Sequence, residues 1–68
     1  MDIKNYLNSR VLLRPNKPAY SIFEALIIEV SDSGKYFKFK NIQSENIYWE
    51  SIDAYTLVDT IASSILDK

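Results

Sequence analysis

The stretch that most constrains the fold is residues 24–40, where strand alternation and turn residues agree. Two runs within it alternate apolar side chains with other residues, which is typical of half-buried β-strands. Between the runs, Ser-Asp-Ser-Gly at 31–34 holds the only glycine of the chain, at a position where a turn can require a positive φ. The stretch therefore predicts a β-hairpin that closes at this turn.

In the predicted pairing of the hairpin, the apolar side chains of both strands lie on one face. A shift of one residue would turn one apolar set to the opposite face, so the shared face supports the pairing. We expect this face to form the core. The predicted register places Val30 opposite Lys35, Ile28 opposite Phe37, and Leu26 opposite Phe39.

The chain before the hairpin predicts a helical turn, a strand and a loop. Residues 2–8 have apolar side chains at helical spacing and predict a short helix or turn. Residues 9–14 alternate as a strand does, and Pro15 ends this strand because proline cannot donate to a ladder. Residues 15–21 hold both prolines and several turn formers, which indicates an ordered surface loop.

The chain after the hairpin predicts a turn at 43–46 and a fourth strand at 47–50. In that strand Ile47 and Trp49 share one face and Tyr48 lies on the other. The pattern favours the Trp49 face as the core, which leaves Tyr48 exposed. The remaining residues predict a single helical turn at 51–54, a last strand at 55–59 and a short terminal helix at 60–68.

These segments predict an all-β fold, a small five-stranded antiparallel barrel with short N- and C-terminal helical segments. A bent sheet that closes on itself removes its edge strands. Neither a repeat nor a linker interrupts residues 1–68, so we expect a single domain.

The order of these segments resembles a known class of small barrels. The resemblance lies in the hairpin with its glycine turn, Lys-Tyr-Phe-Lys-Phe at 35–39, Tyr-Trp at 48–49, and the turn at 50–54 before the last strand. Over residues 9–60 this pattern is similar to Src-homology-3-like and Tudor-like barrels. The resemblance implies binding of peptides, methylated side chains or RNA between the loops, through clustered aromatic residues. The acidic loop run of peptide-binding Src-homology-3 domains is missing.

Composition excludes several classes of function. The 68 residues include no cysteine and no histidine, so a disulfide, the usual zinc ligands and the commonest general base are missing. The carboxylates Glu50, Asp53 and Asp59 have no nucleophile, glycine-rich loop or metal-ligand cluster beside them. We therefore expect no enzymatic activity, no small-molecule substrate, no cofactor and no metal.

The hydropathy of the chain predicts no membrane segment. No apolar run approaches the ~20 residues that span a bilayer. The N-terminus lacks the basic-then-apolar order of a signal peptide. We expect a soluble, cytoplasmic protein.

Two sets of side chains are candidates for a binding surface. Aromatic faces stack on bases, prolines and cations, so exposed tyrosines at 20, 36 and 48 predict an aromatic patch. Basic side chains on outer strand faces predict a phosphate-binding stripe if the first strand lies near the third, although Glu24 and Glu29 neutralise part of it. The candidate residues are Tyr20, Tyr36, Tyr48, Arg10, Arg14, Lys38 and Lys40.

These features together favour a protein-interaction or assembly module, with a protein partner or a homodimer. Apolar residues beyond the predicted core either form a docking surface or plug the barrel ends. The alternative function is an RNA- or DNA-binding barrel that uses the basic residues with Tyr36 or Tyr48. The additional apolar residues are Ile27 on the outer face, Ile3, Tyr6 and Leu7 near the N-terminus, and Ile61, Ile65 and Leu66 near the C-terminus.

Overall fold

In a computed structural model that describes residues 3–61, the chain forms one antiparallel sheet of five strands. The all-β fold and all the predicted strands are confirmed. The predicted terminal helix at 60–68 lies outside the described residues except for Thr60, which ends the last strand, and Ile61. The strands are β1 (Arg10–Pro15), β2 (Phe23–Val30), β3 (Tyr36–Asn41), β4 (Ile47–Ser51) and β5 (Tyr55–Thr60).

Two short 3-10 turns accompany the sheet, at Ile3–Tyr6 and Ile52–Ala54. The first confirms the predicted N-terminal turn, which ends at Asn8 with a φ of 66°. The N–H of Asn8 donates to the carbonyl of Ile27 at 2.7 Å, so the turn is fixed against β2. Within the described part of the chain, neither turn is long and apolar enough to cross a membrane.

The sheet is open and is not closed into the predicted barrel. Its strand order is β4-β3-β2-β1-β5, so β4 and β5 are the two edges. A flat sheet of this size would separate its edges by about 19 Å. The three residues Ile52–Ala54 that connect β4 to β5 span at most about 14 Å. The sheet is therefore strongly curved, and its edges approach each other at this end.

The core fills the concave face of the curved sheet. The two phenylalanines of β3 are fully buried, as the hairpin predicts, and their rings stack with centroids 5.0 Å apart. The buried residues, which come from β1, β2, β3 and the first 3-10 turn, are Ile3, Val11, Leu13, Ala25, Ile27, Phe37 and Phe39.

The hairpin turn contains the predicted glycine conformation but is longer than predicted. Gly34 has a φ of 76°, and its N–H donates to the carbonyl of Ser31 at 2.9 Å. The N–H of Ser31 donates to the carbonyl of Tyr36, also at 2.9 Å, so these two residues face each other across the strands. Lys35 therefore belongs to the loop, and the predicted pairing of Val30 with Lys35 is wrong.

The observed register of the hairpin contains a bulge at Ile28. Val30 lies opposite Phe37 and Ile27 lies opposite Phe39, with the register shift between Ile27 and Glu29. A bulge adds one residue to one strand, so the side-chain alternation of β2 changes phase there. The predicted pairs of Ile28 and Leu26 with the phenylalanines are wrong because the longer loop shifts the register by two residues near the turn, and the bulge shifts it back by one in the first half of β2.

The inward face of β2 differs from the prediction in its first half. Ala25 and Ile27 have an exposure of 0 %, whereas Leu26 and Ile28 are only partly buried. Ile27 was expected on the outer face, as part of an assembly surface, and this prediction is also wrong. Val30 packs against the core as predicted. The additional residue of the bulge reverses the alternation after Ile27, so that Val30 also points inward. Both faces of this strand are apolar, so alternation alone could not distinguish them.

The prediction that the Trp49 face of β4 is the core is wrong. Ile47 is 54 % exposed and Trp49 is 50 % exposed. Tyr48 is 40 % exposed, and its ring centroid lies 5.6 Å from that of the buried Phe39. The pairing explains this, since Tyr48 lies opposite Phe39 and Trp49 lies opposite Lys38. Directly opposite residues share a face, so β4 follows the alternation of β3.

Candidate functional site

A cleft of about 440 Å³ opens on the concave side of the sheet, below the loop between β1 and β2. A second hollow of about 270 Å³ adjoins it and shares four of its lining residues. We call the two together the aromatic cleft. Its main lining residues are Pro15, Tyr20, Phe23, Phe39, Tyr48, Glu50 and Tyr55.

The floor of the aromatic cleft is a set of contacting rings around Phe39. The ring centroids of Phe23, Tyr48 and Tyr55 lie 5.7, 5.6 and 5.4 Å from that of Phe39. Aromatic pairs at 4.5–7 Å contribute about 0.5–1.5 kcal/mol each beyond the area they bury. The rings thus hold each other in place at the bottom of the cleft.

The loop between β1 and β2 is anchored beside the cleft by Asn16. Its side-chain amide donates to the carbonyl of Asp53 at 2.9 Å and accepts from the hydroxyl of Thr56 at 2.7 Å. These bonds connect the loop to the turn before β5 and to β5 itself. The predicted surface loop is confirmed, and the anchor places Tyr20 at the cleft. The ammonium of Lys17 lies 5.9 Å from the centroid of the Tyr20 ring.

The charged groups that line the aromatic cleft in the described structure are Lys17 and Glu50. The carboxylate of Glu50 affects Tyr55, which lines the same cleft. Burial raises the pKa of the Tyr55 hydroxyl above its ordinary value of 10.0, and the Glu50 carboxylate and Tyr48 raise it further. A cationic group that entered the cleft would be attracted by the Glu50 carboxylate, which is the second cause of this shift after burial.

Tyr55 should therefore make folding stability fall in alkaline solution. Because its folded-state pKa lies above 10.0, the folded chain keeps a proton that the unfolded chain releases above about pH 10. The ultraviolet absorbance of tyrosinate, followed against pH in the wild type and in Tyr55→Phe, isolates the titration of Tyr55 as the difference between the two curves. We expect the midpoint of this difference curve to lie above pH 10.0. In Glu50→Gln the midpoint should be lower but still raised, because burial remains. An unchanged midpoint in Glu50→Gln would contradict the proximity of the two groups.

The structure brings two of the predicted tyrosines together and separates the third. Tyr20 and Tyr48 line the aromatic cleft. Tyr36 is 54 % exposed, and it lies next to the inward Phe37 in β3, so it belongs to the convex face. The predicted aromatic patch is therefore divided between two sides of the sheet.

The four predicted basic residues lie on the outward phase of β1 and β3, with β2 between those strands. Arg10 forms an ion pair with Glu24, and Lys38 lies opposite Glu29. The strands β1 and β3 are separated by about 9–10 Å. Arg14, opposite Thr56, and Lys38 lie toward opposite ends of this face, whereas Lys40 lies level with Arg10 on the other side of Leu26. Carboxylates thus interrupt the expected stripe.

Tyr55 and Glu50 are cleft residues that the predicted site omits. The signal for Tyr55 is its alternation with Leu57, which also packs on the core. The signal for Glu50 is its alternation with Tyr48 in a strand that pairs with Phe37 and Phe39. Both signals depend on knowing which face of each strand is inward.

No protein-family model, curated protein or solved structure matches this chain. Within residues 3–61, no group of three His, Cys, Asp or Glu side chains is placed to hold a metal ion. The geometry of the aromatic cleft is therefore the basis for proposing a function.

Proposed function

We propose that this chain is a non-enzymatic protein-interaction module that binds an extended segment of a partner protein in the aromatic cleft. The observation that carries the proposal is the convergence of Tyr20, Tyr48 and Tyr55 on one concave opening. The cleft volume of about 440 Å³ is in the range of ligand pockets. Tyrosines in such positions give large contact area with little loss of side-chain entropy.

The finer fold assignment that we propose is the Src-homology-3-like or Tudor-like class. A sheet in the order β4-β3-β2-β1-β5 supports it, together with the 3-10 turn between the last two strands. The open edge between β4 and β5 is the difference from a closed barrel. The aromatic cleft lies between a loop and these strands, which is where the resemblance implies a ligand.

The chemistry of the cleft favours a segment with apolar side chains and one basic side chain. The tyrosine rings offer apolar surface and a negative π-face, which attracts cations. Lys17 shows that a cation is accommodated over the Tyr20 ring. Glu50 provides a carboxylate for a basic side chain on the opposite wall. The bound segment is therefore expected to carry a lysine or arginine between apolar residues.

Selection from a displayed library of random twelve-residue peptides tests this proposal. We expect enriched peptides to contain a basic residue beside apolar ones. Tyr48→Ala should weaken binding of the best peptide about tenfold or more, because a tyrosine that becomes buried in the complex contributes about 1–2 kcal/mol. Fluorescence anisotropy with the labelled peptide measures the affinity, and circular dichroism checks that the variant is folded.

The matched control is Tyr36→Ala, which removes an exposed tyrosine from the convex face. It should leave peptide affinity unchanged. If Tyr36→Ala lost binding and Tyr48→Ala kept it, the proposed site would be wrong. If the library yielded no binder but labelled oligo(U) bound with a steep dependence on salt, the alternative nucleic-acid function would replace this one.

A further inference from the structure

The strand β4 is an edge of the sheet that carries three consecutive exposed apolar side chains. These are Ile47, Tyr48 and Trp49. Edge strands of monomeric proteins are usually shielded by lysine, proline, a bulge or a covering segment. In β4 none of the residues is lysine or proline, and its pairing with β3 has no register shift. In the described part of the chain, β4 pairs with β3 alone.

The hydrogen bonds at the two ends of β4 determine which backbone groups face outward. The N–H of Asn41 donates to the carbonyl of Asn46, and the N–H of Ile52 donates to the carbonyl of Lys35, each at 2.9 Å. Hydrogen-bonded pairs alternate with non-bonded pairs in an antiparallel ladder. Between these two pairs, Tyr48 and Glu50 therefore bond to β3. The N–H and C=O groups that point to the free edge belong to Ile47, Trp49 and Ser51.

We propose that two copies of this chain pair along β4, antiparallel, about a two-fold axis at Trp49. The sheet then continues from one copy into the other. In this register the outward groups of one strand meet the outward groups of the other, so each can form a ladder bond. Trp49 lies opposite the partner's Trp49, Ile47 opposite the partner's Ser51, and Tyr48 opposite the partner's Glu50.

The charges of β4 fit a second copy of the same strand. Glu50 is the only charged residue of the strand, and it meets the phenol of Tyr48, which can donate to it. The two copies of Lys38 are separated by three strand spacings, about 14 Å, which exceeds the screening length of about 8 Å at physiological salt. The two Lys38 ammonium groups are therefore screened from each other. The two Glu50 residues are diagonal neighbours about 7–8 Å apart, and each carboxylate lies beside the phenol of the other copy's Tyr48.

The apolar side chains of β4 also fit this pairing. The two Trp49 side chains lie side by side on the convex face, with an Ile47 diagonal to each, so the exposed apolar surface is shared across the axis. The other edge, β5, is a poorer partner because Asp59 and two threonines lie in it. The proposal rests on the strand edge and not on peptide binding, although Tyr48 and Glu50, which meet across the axis, also line the aromatic cleft.

The first measurement is the mass of the wild-type chain by sedimentation equilibrium, without peptide. We expect a monomer–dimer equilibrium. The register is then tested by cysteine cross-linking, since the chain has no cysteine of its own. Opposite residues of a bonded pair have Cα atoms about 5.5 Å apart, which suits a disulfide. Trp49→Cys should therefore form a disulfide dimer under mild oxidation.

Two comparisons make the cross-linking specific. Val58→Cys, an exposed apolar residue of β5, is the matched control and should cross-link at least tenfold more slowly. A mixture of the Ile47→Cys and Ser51→Cys variants should cross-link, because these residues lie opposite each other in the proposed register. The Ile47→Cys variant alone should not cross-link. Both variants retain Trp49. A wild type that stays monomeric at several hundred micromolar would overturn the proposal. A dimer in which Val58→Cys or Ile47→Cys alone reacts as fast as the mixed pair would also overturn it.

Discussion

Phe37→Ala is expected to lower the free energy of unfolding by about 3–5 kcal/mol, which is the usual cost of emptying a buried phenylalanine site. Phe37 is fully buried, and its ring lies 5.0 Å from that of Phe39 and 5.8 Å from that of Tyr55. A chain of this length has a total stability of only about 3–10 kcal/mol. We therefore expect most of the stability to be lost in urea unfolding followed by circular dichroism.

The matched control is the neighbouring substitution Tyr36→Ala. Tyr36 precedes Phe37 in β3 but lies on the convex face. Its truncation should change the unfolding free energy by about 0.5 kcal/mol or less, as is typical of exposed positions. Equal losses from the two substitutions would contradict the inward assignment of Phe37, and with it the position of the core.

The elements of this fold could be predicted from sequence because their signals are local. Alternation identifies the strands, and prolines mark the loop that follows β1. Gly34 identifies the hairpin turn through its positive φ, which side chains rarely adopt. The 3-10 turn after β4 begins where the Ser51 hydroxyl accepts a hydrogen bond from the N–H of Asp53. Each of these signals needs only a few consecutive residues.

The faces of β2 and β4 could not be predicted because they depend on register. In β2 both phases are apolar, and the bulge at Ile28 decides between them, because the two-residue extension of the loop leaves the faces unchanged. In β4 three apolar residues in a row make either phase acceptable to the pattern. Its face is determined by pairing with β3, where Tyr48 meets Phe39. Such pairing depends on loop geometry, which alternation does not encode.

The same limit applies to the aromatic cleft and to closure of the barrel. Tyr20 and Tyr48 were predicted as candidates because their residue type suits recognition. Tyr55 joins them only because the sheet is curved. In the strand order, β2 and β1 separate β5 from β3, and the curvature brings the Tyr55 ring of β5 over the Phe39 ring of β3. The curvature follows from the three-residue link between the edges. Sequence indicates that link but not whether β4 and β5 finally pair.

Ile27→Ala and Ile28→Ala provide the sharpest test of the hairpin register. Ile27 is fully buried opposite Phe39, so its truncation should cost about 2–5 kcal/mol. Ile28 occupies the bulge and is partly buried, so its truncation should cost under about 1 kcal/mol. The two substitutions remove the same atoms from adjacent residues, so strand propensity and the unfolded chain affect both alike.

Urea unfolding of both variants, compared with the wild type, measures the difference. A larger loss from Ile28→Ala would mean that Ile28 faces the core and that β2 pairs with β3 without a bulge. That register would exchange the faces of Ala25 and Leu26 as well, and it would place a bulky leucine where the alanine now lies against the phenylalanine rings. A larger loss from Ile27→Ala is the result that a bulged β2 requires, because only the bulge lets Ile27 and Val30 face inward together.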